Sequence, residues 1–178
     1  YFEKKNAVQS AIKIGKIVIS KKHEDYPMLN ILNTVLGGYF GSRLMSNLRE
    51  DKGYTYGINA NIVNNLASSY LVISTEVRKE IYKNAVSEIL KEITRLQNDL
   101  IPEKELSLVK NYMMTSILGF FNGPFSISLT LKHMLTLGID YEYYNRSTDA
   151  IINCTPSQLR DIAIKYLDIE TLTEVVYG

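Results

Sequence analysis

Residues 37–57 read GGYFGSRLMSNLREDKGYTYG: paired glycines, a third glycine at 41, a leucine- and arginine-bearing stretch, and a turn bounded by Gly53 and Gly57. Paired glycines leave the backbone free to turn sharply, so Gly37 and Gly38 are expected to end a preceding helix. The spacing predicts that helix over Pro27 to Leu36, where Met28, Ile31, Leu32 and Val35 recur at three and four residues. A short second helix is expected from Ser42 to Lys52, with Leu44, Met45 and Leu48 inward. Gly53 then occupies the position of a left-handed C-terminal cap.

Strands flank this segment. Residues 8–19 (VQSAIKIGKIVI) are β-branched and partly alternating, which predicts a strand. Two more are predicted at Tyr54 to Val63 and Ser69 to Val77, joined through Asn64 and Asn65 as a hairpin turn. In the first of these, Tyr56, Ile58, Ala60 and Ile62 share one face, while Thr55, Asn59 and Asn61 share the other. Glu80 to Gln97 places Ile81, Ala85, Ile89 and Ile93 on one stripe with charges opposite, the pattern of a helix lying on a sheet.

Pro102, with Glu103 and Glu105 close behind, opens a further helix whose inner face is Leu106, Val109, Met113 and Ile117. GFFNGPF at 119–125 reads as a break with its aromatics packed inward; a wall against a substrate is the alternative. Helix is expected to resume from Phe125 to Leu137. Thr155-Pro156-Ser157-Gln158 is a T-x-x-Q capping box that starts a helix over 156–167, and Leu172 to Tyr177 forms a last strand. With no internal repeat or linker, residues 1–178 read as a single α/β (α+β) domain of two layers, a largely antiparallel sheet with helices packed on one face.

Twenty Lys and Arg stand against nineteen Asp and Glu, with no long run of one sign, so nothing calls for nucleic acid or an anionic membrane surface. No apolar run approaches the roughly 20 residues that cross a bilayer, so no membrane insertion is expected. The chain starts at Tyr1 without methionine and is expected to be part of a longer protein. A single cysteine, Cys154, beside Ala150, Ile151 and Ile152, reads as a small core residue.

Catalytic signals are absent. The two histidines, His23 and His133, lie far apart, and neither belongs to a zinc-binding spacing. His23 beside Glu24 and Asp25 reads as a solvated loop, and His133, flanked by Leu129 and Leu137, as a helix-surface or partly buried residue. Cys154 has no histidine near it, G-x-S-x-G does not occur, and the glycine stretch lacks the lysine of a phosphate loop.

The stretch LNTVLGGYFGSRLMSNLREDKGYTYGI (32–58) resembles the second half-domain of the pitrilysin/insulinase family of zinc peptidases, and the likeness runs through the paired strands, the helix over 80–97, IPEKELSLVKN, INCTPSQLRDIAIKYL and the last strand. It implies a half-domain like that of the mitochondrial processing peptidase, itself free of zinc ligands. Zinc would sit only in a homologous partner half, on the same or another polypeptide, that faces this one across a chamber. The family's arginine and tyrosine, seven residues apart, match Arg49 and Tyr56. The resemblance implies that these hold a peptide substrate near the scissile bond while no catalytic residue lies in this chain. The sequence departs from the family pattern in lacking the first strands of the half-domain and the catalytic half, so the chain alone is expected to be inactive.

Physical chemistry supports such a role: a guanidinium offers five donors in a rigid fork, and a phenol offers one. The plainer reading pairs Arg49 with a carboxylate and packs Tyr56 on an apolar face. Two rival functions remain: a structural subunit of the same fold family, and a small binding module unrelated to peptidases.

Overall fold

Side chains alternate along a strand, so Ile12 and Ile14 enter the core from β1 (Gln9–Val18) while Lys13 and Ile17 stand out in solvent. The computed structural model describes residues 1–66 and 68–178; Ala67 lies outside the described residues. β1 is central in a four-stranded antiparallel sheet with β2 (Ile58–Asn64), β3 (Ser69–Arg78) and β4 (Thr173–Tyr177), in the order β2-β3-β1-β4. In register, Ile14 faces Ile73, Ile12 faces Val176 and Ala60 faces Ile73, which puts the inward apolar residues of all four strands on one surface. The ends of the chain are joined: Phe2 N–H donates to Val176 O at 2.8 Å and Gly178 N–H to Phe2 O at 3.0 Å.

Among the described residues six α-helices build the second layer: α1 (Tyr26–Asn33), α2 (Tyr82–Asn98), α3 (Glu103–Phe120), α4 (Pro124–Leu137), α5 (Tyr141–Asn153) and α6 (Pro156–Tyr166). Ala85, Ile89 and Ile93 of α2, with Leu106 and Val109 of α3, are fully buried in one core with the inward sheet residues, as the helical periodicity predicts. Thr155 and Gln158 form both arms of the capping box that starts α6. Cys154 is buried in the same core.

Several expectations are corrected. The helix before the glycines does not stop at them; α1 widens into a π-helical turn, Thr34–Gly38, that includes both. Gly37 is needed for another reason, since a Cβ there would lie 2.7 Å from the Cβ and backbone N of Ala60 on β2. The second helix is also π-helical over Met45–Asp51, and Gly53 follows with φ of +62°. The strand expected from Tyr54 begins only at Ile58, because the preceding backbone is held elsewhere: Tyr54 N–H donates to Leu48 O at 2.8 Å. Phe125 of GFFNGPF is 86% exposed rather than packed inward, because α4 buries only the stripe Thr130, Met134 and Leu137. The helix α5 was not predicted at all; it is capped by Asp140, whose carboxylate accepts from Tyr143 N–H at 3.3 Å.

Candidate functional site

Arg49 lies near the end of the π-helical segment, and three contacts fix that segment to its surroundings. Arg43, just before it, holds Glu105 of α3 through Nε at 2.8 Å and a terminal guanidinium nitrogen at 3.0 Å. Within it, Asn47 Nδ2 donates to two carboxylates of α2, Glu92 at 2.6 Å and Glu88 at 3.0 Å. Just after it, Lys52 approaches Glu88 at 3.7 Å. The Asn47 amide first, then the charges of Lys52 and Lys91, hold the Glu88 carboxyl below its ordinary value. A helical turn so pinned carries Arg49 on a stable base.

The Arg49 guanidinium carbon sits 4.6 Å from the centroid of the Phe40 ring, a cation–π contact, and no ion pair to Arg49 occurs among the described residues. The carboxylate partner of the plainer reading is therefore not what holds it. Phe40 gave no signal of its own in sequence, because an aromatic in a glycine-rich loop has no periodicity to place it.

Tyr56 is 95% exposed and not on the apolar face with Ile58 and Ala60, which corrects the sequence reading of that strand. Its neighbours are fixed all the same. Gly57 N–H donates to Thr55 Oγ1 at 3.1 Å, and Thr75 Oγ1 lies 2.9 Å from Thr55 Oγ1 and 3.0 Å from Gly57 O. These hydroxyl bonds take the backbone out of the β2 ladder and hold the tyrosine outward. Among the described residues no hydrogen bond or ring contact joins Arg49 to Tyr56; the turn at Lys52 and Gly53 separates them along the chain.

Beside Tyr56 a shallow cavity of about 360 Å³ opens on the outer face of the sheet, lined by Lys13, Asn59, Ser74 and Glu76 among others. The ladder explains the grouping, because Ser74 faces Lys13 on one side and Asn59 on the other. Alternation along each strand marks all of these as outward, but the register that brings them together is legible only in the fold.

The described residues offer zinc no ligand set. No group of three His, Cys, Asp or Glu capable of holding a metal occurs among the described residues. His23 Nδ1 accepts from Asp25 N–H at 3.1 Å and its ring meets Tyr166 edge-on. His133 is pushed below its ordinary value by burial and by the charge of Lys21, an environment hostile to a cation. No helix among the described residues is long and apolar enough to cross a membrane.

The sequence model of the peptidase M16 inactive domain matches residues 1–113. The uncharacterized zinc protease YmxG of Bacillus subtilis (strain 168) is 30% identical over 151 residues, which are 84% of this chain and 36% of that protein. The probable inactive metalloprotease YmfF of the same organism is 22% identical over 127 residues, 71% of this chain and 29% of that protein. The chain thus spans about a third of the length of these relatives. In fold it is similar to a peptidase M16 inactive domain from Pseudomonas fluorescens, at a TM-score of 0.89 and 22% identity over 99% of this chain and 42% of that one. It is also similar to the inactive peptidase domain of a putative zinc protease from Bordetella parapertussis, at 0.83 and 15% over 96% of this chain and 92% of that one. Motif, fold and match over most of the chain agree: the chain belongs to the peptidase M16 inactive-domain family, the inactive half-domain of the pitrilysin/insulinase zinc peptidases.

Proposed function

We propose that this chain is the substrate-binding, zinc-free half of a zinc peptidase that cleaves peptides or unfolded chains, and that Arg49 and Tyr56 hold the substrate. A homologous half, on the same or a separate polypeptide, carries the zinc and its activated water. The observation that carries the reading is Tyr56: a large aromatic, 95% exposed, on a backbone fixed by Thr55, Gly57 and Thr75. An exposed side chain on a stiff mount suits a group that must meet something outside its own domain.

Arg49 complements it. Resting on Phe40, its guanidinium keeps its donors for an extended peptide's carbonyls, and no internal carboxylate competes among the described residues. The Tyr56 hydroxyl donates toward the oxygen on which charge grows as the carbonyl is attacked. Neither group moves a proton or binds metal in this reading; both orient the peptide and stabilise the developing charge.

The test pairs this chain with a zinc-bearing half and compares peptide cleavage among wild type, Tyr56→Phe, Arg49→Lys and the double variant. Loss of one transition-state donor lowers kcat by roughly a hundredfold or more. Because both act on one substrate group, the double variant falls by less than the product of the two. Wild-type rates in both single variants, with pairing of the halves intact, would leave the chain a scaffold.

A further inference from the structure

At the far end of β2 from Tyr56, α4 stands away from α1, β2 and α5 and leaves a groove of about 810 Å³. That size is typical of sites that enclose a small ligand or a short peptide. Its charged lining residues are Lys21 and Lys132, joined by His133, and among the described residues no Asp or Glu lines it. In a chain of 20 basic and 19 acidic residues, this concentrates one sign of charge.

Lys21 is the central group. It is partly buried, its Nζ lies 5.2 Å from the centroid of the Tyr143 ring, and no carboxylate pairs with it among the described residues. Burial pushes its ammonium below the ordinary lysine value. An ammonium partly removed from water and left without a counter-charge favours an anion beside it. His133, whose imidazole burial and Lys21 push below its ordinary value, adds a ring N–H donor to the lining.

The floor is aromatic and firmly set. Asn64 Nδ2 donates to the Tyr26 hydroxyl at 2.7 Å, and the Tyr143 and Tyr144 rings meet edge to face at 5.2 Å. A second cavity, of about 210 Å³, shares the wall formed by Asn30, Phe120, Tyr143 and Tyr144 and is otherwise lined largely by apolar side chains such as Pro27, Met113, Ile117 and Ile151. Asn30 and Ser126 point no side-chain hydrogen bond at any described residue, which leaves an amide and a hydroxyl for a ligand's main chain. A cation at one side, unused amide and hydroxyl groups between, and an apolar recess beside them define a ligand with the inverse order.

We propose that this groove binds the C-terminal end of a peptide, its carboxylate on Lys21 and an apolar terminal side chain in the recess beyond Phe120. The site rests on residues of α1, β2, α3, α4, α5 and the turn after β1 and does not depend on Arg49 or Tyr56.

Fluorescence anisotropy with the 178-residue chain tests it. The probe is an N-terminally fluorescein-labelled tetrapeptide of three alanines and a C-terminal phenylalanine, measured as the free acid and as the amide. The free acid binds at least tenfold tighter than the amide, Lys21→Met brings the acid to the level of the amide, and Lys21→Arg keeps most of the preference. The circular dichroism and melting temperature of Lys21→Met are recorded alongside, so that lost binding in a folded variant is attributable to the charge. N-acetylphenylalanine competes more weakly than the peptide. Equal affinity for acid and amide overturns the proposal, as does undiminished acid binding by Lys21→Met. Displacement by N-acetylphenylalanine as strong as by the peptide overturns it too, because the groove would then read a lone residue.

Discussion

Asn47 donates to Glu92 over 2.6 Å, and Glu92, at 2% exposure, is a carboxylate buried beneath the turn that carries Arg49. Its charged partner is Arg95 at 3.0 Å. Removing the amide leaves a buried charge short of a donor, so Asn47→Ala is expected to lose about 1–3 kcal/mol of stability. Asn47→Asp should lose more, since it sets a third carboxylate beside Glu88 and Glu92. Urea unfolding of both variants checks the order; an Asp variant as stable as wild type would show that the carboxylates are not held this way.

Gly37 and Gly57 offer a matched pair. A Cβ on Gly37 would meet Ala60 at 2.7 Å, whereas one on Gly57 meets nothing within 4 Å. Gly37→Ala must push the π-helical turn off β2, and overpacking of this kind typically costs about 1–3 kcal/mol. Gly57→Ala should change the denaturation midpoint little. Comparable losses in both would mean that the approach of the turn to β2 is not what demands glycine.

Thr155 accepts from Gln158 N–H at 3.3 Å while its own N–H donates to Gln158 Oε1 at 3.0 Å. Thr155→Ala removes one arm of this box and should destabilise the domain by about 1 kcal/mol, with an unchanged denaturant slope. Thr155→Ser, which keeps the acceptor, should recover most of the loss.

Acid sensitivity follows from Asp25. Its carboxylate accepts from Lys165 Nζ and from the Tyr166 hydroxyl, each at 2.6 Å, and these bonds, that from Lys165 foremost, hold it below the usual carboxylate value. The unfolded chain therefore takes up this proton at a higher pH than the folded one. The contribution is complete above the unfolded value, about pH 4, and is lost as pH falls through the folded one. Asp25→Asn should be less stable than wild type at pH 7, and the gap should narrow below about pH 4. A gap independent of pH would assign the effect to packing alone.

How much of this was legible in the sequence depended on what fixes each element. The stripe of Ala85, Ile89 and Ile93 and the box at Thr155 are local patterns, and each held to within a residue or two. In α5 the buried residues Tyr143, Ser147 and Ile151 do recur at four, but tyrosines and polar groups on that face hide the period from a reading of hydrophobicity. Tyr56 was misplaced because its backbone answers to Thr75, on another strand, and not to its own alternation. The groove around Lys21 draws on six separate segments and has no sequence signature.

The pairing of β1 with β4 also governs how the domain is born. Ala11 pairs with Tyr177 and Gly15 with Thr173, so β1 waits until β4, far later in the sequence, has been made before both its edges are covered. At roughly 5–20 residues per second that interval lasts roughly ten to thirty seconds. An apolar strand with a bare edge is in that time a template for another nascent copy. Lys13 and Lys16, set among the isoleucines and valine of β1, put charge on that edge while it is open. They make the strand a poor partner for a stranger until its own β4 arrives.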